Sequence, residues 1–164
     1  MVNRPDVWLR GPLEGIPALL QPVAHALTQA LEEVEKECKD LTTERLWARP
    51  GGIASIGYHL RHMAGSIDRL FTYARGENLT ADQISILKME AKDSNGESSD
   101  LMQVLRQNIA KALAQLGHTS EAELTEPREV GRSRLPSTVI GLLFHAAEHA
   151  YRHAGQIATT VKIV

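Results

Sequence analysis

Along most of this chain apolar residues recur every three or four positions, the spacing of helices that bury one face. Between Val23 and Leu41 the stripe is Val23, Ala26, Leu27, Ala30, Leu31 and Val34, in a segment rich in Ala, Leu and Glu. Pro12, Pro17 and Pro22 lie upstream. Proline fits the first helical turn but not the interior, so the helix starts between Ile16 and Gln21. A connector from Leu41 to Ile53 holds Pro50, Gly51 and Gly52. Ser55 then reads as the N-cap of a second helix with stripe Ile56, Leu60, Met63, Ile67, Leu70 and Ala74, ended by Gly76. Thr80 with Gln83 fits a capping box for a short extra helix to about Met89. Asp93 to Ser99 reads as a loop, and Leu101 to Leu116 as an amphipathic helix stopped at Gly117. His118 to Pro136, punctuated by Pro127, Gly131 and Pro136, is the longest irregular piece. Ser137 is the expected cap of a last helix running to about Val161. With no internal repeat and few β-branched alternations, the pattern predicts an all-α fold: a four-helix bundle with long connectors and a short extra helix.

At 164 residues the chain suits one domain over 1–164. Lys plus Arg number 18 against 20 Asp plus Glu, a net charge of −2 that argues against a nucleic-acid footprint or a polybasic membrane surface. Hydrophobic residues make up 43%, enough to fill a core, and 12 Gly with 7 Pro are too few for a disordered or collagen-like chain. One cysteine, Cys38, excludes an internal disulfide and any Cys-based zinc cage. It lies in EEVEKECKD, a solvated charged run, and reads as a passive side chain rather than a nucleophile. The longest apolar run, Val139 to Phe144, is far short of the roughly 20 residues that span a bilayer. MVNRPDVWLR lacks the apolar stretch of a secretory signal, so a cytoplasmic protein is expected.

Histidine changes the picture. There are seven, five of them in two short windows. GYHLRHMAGSIDRL on the second helix carries His59 and His62, and FHAAEHAYRHAGQI on the last carries His145, His149 and His153. Spacings of three and four place side chains on neighbouring turns of one face, where two imidazoles can share an ion at about 2.0–2.1 Å. At roughly 100° per residue, the apolar stripe of the last helix centres on Leu143, Ala150, Ala154 and Val161. His149 and His153 then flank that stripe and His145 lies further round. On the second helix His59 is nearer the stripe than His62. The set lines the margin of the core, where a site reaches solvent. A lone histidine such as His25 or His118 ordinarily packs or hydrogen-bonds. HxxxH alone carries either reading, and it is not the HExxH of zincins, since Ala150, Tyr151 and Arg152 intervene.

These windows resemble the DinB-like (DinB/YfiT) family of metal-dependent helical bundles. PGGIASIGYHLRHMAGS is similar to the family's helix-capping serine followed seven residues later by a histidine, which picks His62. HAYRHAGQI is similar to its HxxxHxGQ, which picks His149 and His153. DLTTERLWARPGG looks like its connector between the first two helices. The resemblance implies an up-down-down-up four-helix bundle, often dimeric, with a divalent metal (nickel, zinc, iron or manganese) on His62, His149 and His153. His59 and His145 depart from the three-histidine pattern, as hydrogen-bond partners or extra ligands.

Three neutral imidazoles leave a divalent ion most of its positive field, which suits activation of water or a thiol. The expected function is a hydrolase or thiol S-transferase acting on a small molecule, with a low-molecular-weight thiol as cosubstrate. Arg61, Arg69 and Arg152 are candidates for the thiol's acid groups; Glu148, Tyr58 and Tyr151 are polar neighbours, Glu148 more simply in a surface ion pair. Two further readings stand beside it: a non-catalytic metal-binding or stress-related bundle, and a metal-free protein whose histidines pack at a homodimer interface. Trp47, on its connector, is a candidate shelter for the pocket.

Overall fold

Thr42, Ser55, Thr80 and Thr138 each set an extended residue ahead of a helix and offer it a side-chain oxygen. Those oxygens accept from the amides of Arg45, Tyr58, Gln83 and Gly141, which have no intrahelical partner. The computed structural model describes residues 4–92 and 96–164. Within them the helices are α1 (Gln21–Glu37), α2 (Thr43–Trp47), α3 (Ile56–Ala74), α4 (Ala81–Met89), α5 (Ser98–His118) and α6 (Val139–Thr160), with a two-stranded sheet of β1 (Pro127–Val130) and β2 (Leu135–Thr138). Short 3-10 turns precede α1 and fill the connectors.

The apolar stripes become the core. Val23, Leu27, Ala30 and Val34 of α1 meet Ile56, Leu60, Met63, Ile67 and Phe71 of α3, Leu105, Ile109 and Leu116 of α5, and Leu142, Leu143, Ala150 and Ile157 of α6. Each of these long helices packs on two others: α3 and α1 both lie against α6 and α5. Burying one such Leu or Ile stabilises by about 1.5–3 kcal/mol, so these stripes carry the fold.

The protein is predominantly helical, but the all-α expectation needs one amendment. Part of the supposed irregular stretch is the β1–β2 hairpin, pairing Pro127 with Thr138 and Val130 with Leu135. Its turn uses left-handed backbone at Gly131 (φ 68°) and Arg134 (φ 51°). Ser137 therefore lies in a strand, opposite Arg128, and the cap of α6 is Thr138. The leading amides of α6, on Val139 and Ile140, donate to the carbonyls of Glu126 and Leu124. Arg128 reaches across to donate from Nε to the carbonyl of Ala74 at 2.8 Å, closing the end of α3.

Other boundaries shift. α1 ends at Glu37 rather than near Leu41, and the following connector contains α2. α5 begins at Ser98, inside the supposed loop, and runs through Gly117 to His118, since that glycine keeps helical backbone. Of the expected Asp93–Ser99 loop, Asp93, Ser94 and Asn95 lie outside the described residues, as do Met1, Val2 and Asn3 of the N-terminal segment.

Candidate metal centre

Residues four apart on α6 and one residue on α3 build the site. Ala146, Ala150 and Ala154 are buried along α6, which packs against α3. His149 and His153 stack up one face of α6, their Nε2 atoms 3.1 Å apart. Across the helix contact, His62 Nε2 lies 2.9 Å from His149 Nε2. The donor nitrogens of His62, His149 and His153 all lie within 4.8 Å of one another. Nitrogens bound at about 2.0–2.1 Å in a tetrahedral shell sit roughly 3.3 Å apart, so the set is close to the size that one small divalent ion requires. His153 is buried, while His62 and His149 are partly exposed, so one side reaches solvent as expected for residues on the core margin.

Hydrogen bonds alone fit these nitrogens poorly. A neutral imidazole nitrogen carries one proton or one in-plane lone pair. His149 Nε2 is close to two other ring nitrogens, while His149 Nδ1 is buried with no partner. A single ion facing all three Nε2 lone pairs would remove the crowding, and each ring would then carry its proton on Nδ1.

Two of those Nδ1 atoms have partners. His62 Nδ1 is 2.9 Å from Glu90 Oε2, and His153 Nδ1 is 3.1 Å from His59 Nδ1. Glu90, just past α4, is 6% exposed and also forms a bidentate ion pair with Arg69. Burial pushes the Glu90 carboxyl up, but hydrogen bonds from His62 and Arg69 outweigh it and hold the group below the usual carboxylate range. Burial also pushes His149 and His59 down to about 4, helped in both cases by the neighbouring His153 and His62. His153 is lowered as well, again chiefly by burial. Rings of this kind are neutral near pH 7 and offer lone pairs rather than protons.

The remaining sequence candidates sort themselves. His59 is the buried neighbour of His153. His145 is exposed and pairs through Nδ1 with Glu148, which also binds Arg152, so Glu148 and Arg152 are engaged in a surface network. Arg69 is committed to Glu90. Tyr58 stacks on the His62 ring at 5.6 Å with the planes 6° apart. Tyr151 donates to Glu33 at 3.2 Å. Trp47 lies on Gly57 and beneath the Arg61 guanidinium, and its indole N–H donates to the carbonyl of Gly96. His25 bonds the Gly11 carbonyl, an ordinary polar contact. Cys38 is buried and its thiol is pushed up to about 11, so it is protonated and inert. The residue that sequence reasoning missed is Glu90. Its one signal is Gly65, a poor helix former placed three residues after His62.

Comparison with known proteins adds a family and a fold. A family model described as the DinB superfamily matches residues 26–157. The chain is similar in structure to a conserved protein from Enterococcus faecalis, at a TM-score of 0.72 and 21% identity, covering 89% of this chain and 96% of that one. It is also similar to a protein from Streptococcus pneumoniae, at a TM-score of 0.62 and 14% identity, covering 86% and 87%. No curated protein matches the chain.

Proposed function

The chain belongs to the DinB superfamily, and from that premise we propose that it is a metal-dependent enzyme whose His62, His149 and His153 hold one divalent ion for hydrolysis or thiol transfer. The observation that carries the reading is the convergence of three Nε2 atoms from α3 and α6, those of His62 and His153 lying 2.9 and 3.1 Å from that of His149. When bound, an ion on three uncharged nitrogens supplies Lewis-acid activation of water or a thiol. The chain's own residues do the rest. Burial keeps His149 and His153 neutral, so both rings remain donors below the pH at which free imidazole protonates. Glu90 and His59 orient His62 and His153 through their Nδ1 atoms. Tyr58, flat against His62, restricts rotation of that ring.

Of nickel, zinc, iron and manganese, the ions the resemblance implies, the first three suit imidazole nitrogen and manganese favours oxygen ligands. Arg61, set over the Trp47 ring, Arg69, paired with Glu90, and Arg152, paired with Glu148, are the candidates for the acid groups of a low-molecular-weight thiol. The same proposal comprises one domain over 1–164 in which α1, α3, α5 and α6 form an up-down-down-up four-helix bundle, a homodimeric assembly and a cytoplasmic setting. No helix among the described residues is long and apolar enough to cross a membrane. The net charge of −2 supports a small-molecule substrate rather than nucleic acid or a membrane.

Untagged protein purified without a nickel column is expected to carry about one divalent ion per chain by elemental analysis. His62→Ala, His149→Ala and His153→Ala are each expected to lose it while keeping their helical circular dichroism. Wild-type protein that stays metal-free after incubation with nickel, zinc, iron or manganese salts overturns the reading, as does His62→Ala with unchanged metal content. A panel of thiol-transfer and hydrolysis substrates, run with and without the identified ion, then separates an enzyme from a metal-binding module.

A further inference from the structure

α4 brings very little apolar surface to the core. Ile86, Leu87 and Met89 are exposed, and no residue between Ala81 and Met89 is buried. It is fastened to α3 by polar groups instead. Gln83 Nε2 donates to Asp68 Oδ2 at 2.7 Å and to Thr72 Oγ1 at 2.8 Å. At the other end, Glu90 takes the Arg69 guanidinium and His62 Nδ1. The carboxylate is seated in a notch made by a missing side chain: a Cβ on Gly65 would collide with Glu90 Oε1 and lie 2.7 Å from Arg69 Nη1. A buried carboxylate, its buried cation, a glycine notch and a two-point fastening all aim one oxygen at one ring nitrogen.

We propose that Glu90, seated on Gly65 and clamped by Arg69, is the positioning residue of the three-histidine site. Its carboxylate accepts a hydrogen bond from the His62 Nδ1–H, which keeps the proton on Nδ1 and leaves the Nε2 lone pair facing His149 and His153. This deepens the metal reading above and rests on it for its purpose, but the tautomer it predicts is a property of the metal-free chain. With the Glu90 carboxylate in place, a His62 proton on Nε2 would leave the buried anion without that donor and aim an N–H at His149 Nε2, 2.9 Å away. Partners of this kind typically change metal affinity by about 10–100-fold when removed.

The test uses metal-free full-length protein with 15N-labelled histidine at about pH 8, where an ordinary imidazole is neutral. Long-range proton–nitrogen spectra are expected to show His62 in the Nδ1–H form. Two variants separate the chemistry from the packing. Glu90→Gln removes the charge, and Gly65→Ala keeps both charged partners but drives the carboxylate from its seat; alanine is also the better helix former. Both are expected to show mixed His62 tautomers and to bind zinc, titrated alone against a chromophoric chelator, about 10–100-fold more weakly. Unchanged helical circular dichroism excludes unfolding as the cause. The proposal is overturned if wild-type His62 carries its proton on Nε2, or if Gly65→Ala keeps the wild-type tautomer and zinc affinity. If wild-type protein binds none of nickel, zinc, iron and manganese, the metal reading fails while the tautomer spectrum still decides the role of Glu90.

Discussion

His59 and His149 are held near pKa 4 because folding removes their rings from water and sets other imidazoles beside them. In the unfolded chain the same rings titrate near 6.5. The neutral forms are therefore preferred by the fold, and their contribution is intact above about pH 6.5. It is lost as the pH falls from there through about 4, because the unfolded chain takes up protons first. Urea midpoints of the metal-free protein are expected to fall between about pH 7 and 5, and His59→Phe is expected to shallow that dependence. The trio His62, His149 and His153 was legible in the sequence because the four-residue interval on one helix, and the capping serine followed seven residues later by a histidine on another, are local patterns. Glu90 was not: it lies 28 residues from His62, at the end of a short helix with no distinguishing pattern.

Among the helices, α4 is the one whose ends decide its stability. Its capping box is complete, with Thr80 Oγ1 accepting from the Gln83 amide and Gln83 Oε1 from the Thr80 amide. Thr80→Ala is expected to weaken the helix by about 1 kcal/mol. Hydrogen exchange should show this as roughly fivefold faster exchange of α4 amides, with little change at α3 or α6, since α4 buries so little. That box was readable because its signature spans only four residues. The β1–β2 hairpin was not, since strands of four residues, with Pro127 and Pro136 among them, offer no run of alternation to detect. The same blind spot moved the cap of α6 by one residue, as Ser137 and Thr138 are both acceptable caps and only the strand pairing distinguishes them.

The long helices divide the labour of the fold: α1 and α5 help to close the core, while the meeting of α3 with α6 also brings the donor nitrogens together. An ion bound there would join segments 87 residues apart, and a ligand that binds only the folded state stabilises it by mass action. Zinc at about 100 times its dissociation constant is expected to add about 2.7 kcal/mol to unfolding. Calorimetry with and without chelator measures the gain, and His149→Ala should abolish it.

The exposed hairpin turn from Gly131 to Arg134 adds a consequence of its own. It is the last crossing of the backbone before α6, so a protease cutting there would release a fragment bearing two donors from a larger piece bearing the third. Apolar packing and the shared cation would then be what holds the halves together. Such a nicked protein is expected to co-migrate as one species in zinc and to separate far more readily in a chelating buffer, turning a coordination bond into a stand-in for the severed chain.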